Sequence, residues 1–520
     1  MVEALPMGEE RAFGRRTLAL TFVFVVFVSL ACDVYASIDA RGVYADAAGL
    51  VVVIYELKWF LVSGPRAVVE ILRQAPVVLL ARYSSATLFE GAQLLTFVML
   101  ALPTLLCAVC WWLPPRDRKA WILFPLACLL IGFAATSMHA VGEAAIATSY
   151  YWILFFLLLF RLRSVFQQTL FLLLCIPAFW LHEASFSLTI VLLLAIATRV
   201  HGVVRSSREP VFVGLASLLL AMIFAKQIYC VIHPLYPDDR AHIIGGLVHF
   251  EFLYVDHHFN LPLFTGAVAL LTLLALFFVN AALPAEKVPR YTKLILWGWT
   301  FFALGTIVTA IMIEPSFSPF SQLQARYHPV MVSTVLGLMM IALLRFKQSE
   351  RAWMNPAVVF VLISLCATQG FADVAATFRW NAYVMDLQSR LTNGGGLIPW
   401  EATLHSGDER ADINWRIFKI GWVVPFLSVI FAPYGVVNAM IDVPKGTTFR
   451  PLDPERPNDL PEIKGIDFSP YKRTLESARS NGRTQGSAHD NPGERQFRAV
   501  SGIWSSTRIM PNRSRRRIKA

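Results

Sequence analysis

"FTGAVALLTLLALFFVNAAL", residues 264–283, runs for twenty residues without a charge. A helix of about 20 apolar residues spans the roughly 30 Å of hydrocarbon in a bilayer. A second such run, "TLALTFVFVVFVSLAC", covers residues 17–32. Of the 520 residues, 56% are hydrophobic and 16% are charged, and the mean hydropathy is +0.55. Soluble domains carry about 25% charged residues. These runs and this composition predict an all-α polytopic membrane protein with about 11–12 transmembrane helices. The spans expected are 17–37, 86–113, 119–137, 145–161, 167–182, 184–200, 211–230, 262–283, 293–313, 328–345, 356–373 and 417–440. The last is interrupted by Pro425 and Pro433.

Lysine and arginine mark the cytoplasmic loops of membrane proteins. With the N-terminus inside, the inner short loops hold seventeen of them, among them Arg15, Arg16, Arg116, Arg118, Lys119 and Arg161. The outer short loops hold two, Arg240 and Arg326. This asymmetry fits a bacterial-type inner membrane and divides the chain into a cytoplasmic N-terminus (1–16), a transmembrane domain (17–442) and a tail (443–520). Outer loops are expected at about 38–85, 231–261 and 374–416. The tail has sixteen Lys/Arg against eight Asp/Glu and no apolar period, which predicts a largely disordered basic segment in the cytoplasm. Such a tail suits anionic lipid and gives no ground for a nucleic-acid partner.

All seven cysteines lie in or at the ends of apolar runs. That placement fits packing, and a disulfide framework would put them in polar loops. The spacing of Cys107 and Cys110 is redox-like, but no polar residue neighbours them.

The polar chemistry is biased to one side. By this topology nine of the eleven histidines fall at or beyond the outer face, among them His182, His249, His257, His258 and His328. Asp33, Asp39 and Asp46 follow or end the first span in "SLACDVYASIDARGVYAD" (29–46). An acid near hydrocarbon is costly unless paired or facing a cavity. Burial would bring its pKa toward that of a general base. Glu143 lies in the second outer loop, and Glu183 stands beside His182.

Two segments of the first outer loop read as helices lying on the membrane. In "PRAVVEILRQAP" (65–76), Arg66, Glu70 and Arg73 share one face, and Pro76 ends or kinks the helix. "LVVVIYELKWFLV" (50–62) is the second. In "LVHFEFLYVDHHF" (247–259), a helix would put His249 and Asp256 on one face, with Glu251 and His258 opposite. A continuous helix therefore cannot gather these groups around one metal, and no metal site is assigned, although a divalent ion remains a minor alternative. The expected role is a polar loop over a cavity mouth, with His249 and Asp256 turned inward.

A first span, an acid just outside it and two interfacial helices before the second span resemble the membrane glycosyltransferases of the GT-C class. The resemblance implies a polyprenyl-phosphate-linked sugar donor, a glycan or lipid acceptor, and a catalytic acid at Asp33, Asp39 or Asp46. The class carries adjacent or near-adjacent acids there, and this chain spaces them more widely. "PAFWLHEASF" (177–186) and "QARYHPV" (324–330) resemble exopolysaccharide and O-antigen polymerases, whose outer histidines and arginines handle a lipid pyrophosphate. That likeness implies substrate-binding roles for His182, Glu183, Arg326 and His328. Polymerases of this kind also have a long arginine-rich outer loop, which is missing here. Lys226, in "LLLAMIFAKQIYC" (218–230), either snorkels to headgroups or faces inward as a phosphate partner.

The three glycines of "TNGGGLIP" (392–399) are not followed by the GK[ST] of a phosphate loop, so no nucleotide site is expected. The leading expectation is an outer-face enzyme transferring sugar from a polyprenyl-phosphate carrier to a cell-envelope glycan or lipid. The alternatives are a flippase of lipid-linked sugars and a polymerase. A flippase would place charges mid-bilayer and show internal repeats, and neither is evident.

Overall fold

The computed structural model describes residues 7–44, 47–62, 64–134, 142–162, 164–200, 209–233, 245, 248–249, 254–255, 258–259, 261–284, 286–312, 326–345, 356–403, 418, 423–443, 460 and 462–482. The architecture is all-α and polytopic, with short strand pairs only. Among the described residues, seven helices are long and apolar enough to cross a membrane. They include Met7–Ile38, Leu88–Val109, Glu143–Phe160 and Leu261–Ala282. Val165–Trp180, Glu183–Thr198 and His328–Leu344 are apolar but shorter. The chain is an integral membrane protein.

Local chemistry sets the helix ends. Thr87 and Glu90 form a reciprocal capping box at the start of Leu88–Val109: Glu90 N–H donates to Thr87 Oγ1 at 3.3 Å, and Thr87 N–H donates to Glu90 Oε2 at 2.7 Å. Ser164 and Gln167 repeat the device before Val165–Cys175. Within the bundle, hydroxyls such as Thr148 and Thr265 donate to the carbonyl four residues back. This satisfies them where no water is available.

The expected third span, 119–137, is helical as far as residue 134, where the described stretch ends, but irregular in its hydrogen bonding. Arg116–Ile122 is 3₁₀, Leu123–Cys128 is α, and Leu129–Phe133 is a π-turn. Pro125 lies inside this stretch, and the wider π-turn leaves the Ile131 carbonyl to accept from His328 Nε2 at 3.1 Å.

Two cores form. The larger fills the bundle, from Leu18 through Trp121 and Phe156 to Leu365. The second lies at one end and joins segments far apart in sequence: Tyr44 and Val51, Val77 and Leu95, Trp380 and Leu387, Phe426, and Tyr471. Four expectations change here.

The segment Ala47–Leu57 does not present a face to lipid. Eight of its eleven residues are buried in this core. The helix Ala67–Tyr83 runs through Pro76 rather than ending there, and proline leaves the Leu72 carbonyl without its usual intrahelical donor. Its Glu70 and Arg73 are buried rather than turned to headgroups.

Residues 417–440 do not form a span. The helix Val424–Ile430 has seven residues, and the turn Pro433–Gly435 and strand Ala439–Ile441 follow. That strand pairs in parallel with Gly396–Ile398, reached at the end of Pro356–Asn393, a helix that continues twenty residues beyond the expected 373.

The tail is neither structureless throughout nor across the membrane from the first loop. Val437 N–H donates to Asp467 O at 2.9 Å and Asp467 N–H to Gly435 O at 2.7 Å. The helix Ser469–Gly482 buries Tyr471 and Leu475 in the second core. Leu460, Ile463, Tyr471 and Leu475 thus share a core with Tyr44 and Val51 of the first loop.

The stretch 247–259 is not one helix. Tyr254–Val255 and His258–Phe259 are antiparallel, pairing Tyr254 with Phe259 and Val255 with His258. The helical face shared by His249 and Asp256 therefore lapses.

Candidate functional site

At this end of the bundle a cavity of about 70 Å³ opens between the first span, Leu88–Val109, the π-turn and Pro356–Asn393. Its wall is mostly apolar, from Val28, Pro103, Leu130 and Phe133. Two carboxylates, Asp33 and Asp373, break that surface.

Thr104 Oγ1 donates to Asp33 Oδ2 at 3.3 Å. Asp373 is held differently. Arg41 Nη2 donates to Asp373 Oδ1 at 2.7 Å, and Arg41 Nη1 donates to the Asp373 carbonyl at 2.9 Å and to Thr377 Oγ1 at 2.7 Å. Arg41 is 1% exposed, so this is a desolvated, charge-assisted pair.

The backbone brings Arg41 there by a tight turn. Ala40 adopts φ 50°, in the left-handed region, and a 3₁₀ turn Arg41–Tyr44 follows. Gly42 N–H donates to Thr96 Oγ1 at 3.1 Å, and a Cβ on Gly42 would stand 2.9 Å from that hydroxyl. Only glycine allows the approach.

Gly142 and Ala145 also line the cavity. Glu143, between them in sequence, belongs to a buried ionic network next door. Arg73 Nη2 lies 2.6 Å from Glu143 Oε1, and Arg66 Nη1 lies 2.9 Å from Glu143 Oε2. Arg66 Nε donates to Glu183 Oε2 at 3.0 Å, and Arg66 Nη2 also pairs with Glu183 Oε1. Burial opposes the charge of Arg66, but the two carboxylates more than offset it and hold its pKa above the usual guanidinium value. His182 Nδ1 accepts from Ala184 N–H at 3.1 Å and stands 3.9 Å from Glu183 Oε2. Arg326 acts electrostatically on both Glu143 and His182.

Of the residues expected from sequence, Asp33 lines the cavity, and His182, Glu183 and Arg326 meet at the network. Asp39 is half-buried, and burial pushes its carboxyl up from the usual range. Its carbonyl accepts from Trp380 Nε1 at 2.7 Å, and it does not line the cavity. Lys226 donates to the Phe179 carbonyl and lies over the Trp180 ring, 5.8 Å from its centroid. His328 is turned to Ile131. His249 is exposed and does not line the cavity. Asp46 and Asp256 lie outside the described residues.

Sequence reasoning missed Arg41 and Asp373, and it placed Arg66 and Arg73 on a membrane-surface helix. One signal was there: Arg66, Glu70 and Arg73 recur at helical spacing on one face. Among the described residues, no group of three or more His, Cys, Asp or Glu is arranged to hold a metal ion. No family model, no curated protein and no solved structure matches the chain.

Proposed function

We propose that the chain is a membrane glycosyltransferase. It takes a sugar from a polyprenyl-phosphate-linked donor and passes it to a cell-envelope glycan or lipid at the outer face of a bacterial-type inner membrane. The observation that carries this reading is Asp33, a carboxylate set in the wall of an apolar cavity at the polar end of the bundle.

Thr104 engages one oxygen of Asp33 and leaves the other for an acceptor hydroxyl. In the proposed step that hydroxyl oxygen attacks the anomeric carbon, its proton passes to Asp33, and the bond from that carbon to the phosphate oxygen breaks. The phosphate leaves on its lipid. Asp373 is held in place through its Oδ1 by Arg41. Its role is to orient the acceptor. Apolar walls suit a lipid-borne donor and keep water from the anomeric carbon.

The test uses vesicles containing the full-length protein, a labelled polyprenyl-phosphate sugar and envelope acceptor. Asp33→Asn should remove product while leaving the amount of membrane-inserted protein unchanged. Wild-type product levels from Asp33→Asn would refute the role of Asp33. Relocation of the labelled lipid across the vesicle without acceptor would instead indicate a flippase.

A further inference from the structure

We infer that the network around Glu143 is the binding site for a phosphate-class oxyanion, held by the guanidinium of Arg73 and the imidazole of His182. Buried polar groups in folded proteins are nearly always paired, and several here are not. Arg73 gives Nη2 to Glu143, but its Nε and Nη1 are buried without an acceptor. His182 Nδ1 is occupied as an acceptor by Ala184 N–H. The proton of the neutral ring therefore sits on Nε2, and that N–H is also buried without an acceptor. Ser185 Oγ, two residues beyond the carboxylate of Glu183, is buried and unpartnered as well. Arg73 is 6% exposed, His182 2% and Ser185 0%.

The sign of the mismatch identifies the ligand. The orphaned nitrogens are all donors. Water would accept from them but would bring protons of its own that need acceptors. An oxyanion brings only acceptors, and it brings several on one centre.

Glu143 and Glu183 do not fill this role, because their oxygens are taken by Arg73 and Arg66. They fix the two guanidinium groups in place and leave the remaining Arg73 and His182 donors preorganised. The positive field of Arg326 reaches the same site. Arg66 and Glu183 are the more accessible members of the network, at 16% and 13% side-chain exposure.

The oxyanion is either the phosphate of a lipid headgroup or free phosphate. The lipid source rests on the proposed donor chemistry. Binding can be read without sugar transfer, so either can fail alone.

The experiment is calorimetric titration of the full-length protein in dodecyl maltoside micelles, which carry no phosphate of their own. One arm adds inorganic phosphate and the other adds decyl phosphate, with chloride as the control anion. Saturable binding in either arm supports the site, and the arm that saturates names the source. Arg73→Lys keeps the charge beside Glu143 but loses the fixed Nε and Nη1 donors of the planar guanidinium, and His182→Phe loses Nε2. Each should weaken binding at least tenfold. If one variant fails to accumulate, the other carries the comparison. No saturable binding by the wild type in either arm would overturn the inference, and so would variants that bind as tightly as the wild type.

Discussion

Glu143 shows most clearly what single residues do here. Each of its oxygens meets a different arginine, and Glu143 and Arg73 sit away from water, at 5% and 7% side-chain exposure. Removing one partner of a buried ion pair strands the other and costs about 3–5 kcal/mol. Glu143→Gln should lower the thermal midpoint in detergent accordingly. Asp386 and Arg390, one helical turn apart near the end of Pro356–Asn393, are the control: Asp386→Asn should cost less than about 0.5 kcal/mol, because a pair more open to water contributes little. Asp33 is the catalytic counterpart. A positioned base is worth about 10²–10⁴-fold in rate, so Asp33→Asn should reduce transfer by that factor. Thr104→Val, which removes only the hydroxyl that steadies Asp33, should reduce it less.

At the scale of elements, long uncharged runs were legible in sequence because lipid imposes length and apolarity together. Residues 328–345 form a helix with the expected bounds, and 209–232 and 261–282 come within two residues of theirs. Proline-interrupted and short segments were not legible. Ala47–Leu57 is apolar enough for a membrane surface, but its partners, such as Phe426 against Gly49, are hundreds of residues away. The polar face of Arg66, Glu70 and Arg73 had the right period and the wrong neighbour. A helical face seen in sequence does not say whether water or a carboxylate covers it. Asp33 was legible as a costly acid at a helix end, whereas its cavity depends on a π-turn that no period announces. The C-terminal strap is the element most open to test. Gly465 sits at φ +81°, and Gly435 at +69°, where a Cβ would stand 2.5 Å from the Gly465 carbonyl. Forcing a side chain into such a conformation costs about 1–3 kcal/mol. Gly465→Ala should speed proteolytic cutting within 460–482 and leave the bundle intact.

For the whole molecule, polarity is distributed by end. Arg41, Asp33, Glu143, His182 and the strap all belong to the end reached by the first loop, while exposed Arg116 and Arg118 lie at the other end of the helix Leu88–Val109. Val424–Ile430 and Ala439–Ile441 lie in the second core, which also holds the strap residues Tyr471 and Leu475. That one-sided arrangement is the central claim, because both the proposed chemistry and the oxyanion site need every contributing residue on one face. The direct measurement is labelling of single introduced cysteines by a membrane-impermeant maleimide in sealed vesicles, against the labelling of the seven native thiols. Arg473→Cys in the strap should label from the same side as Lys58→Cys in the first loop, and from the side opposite Arg116→Cys. Labelling of Arg473→Cys together with Arg116→Cys would contradict the fold described here and restore a twelfth crossing.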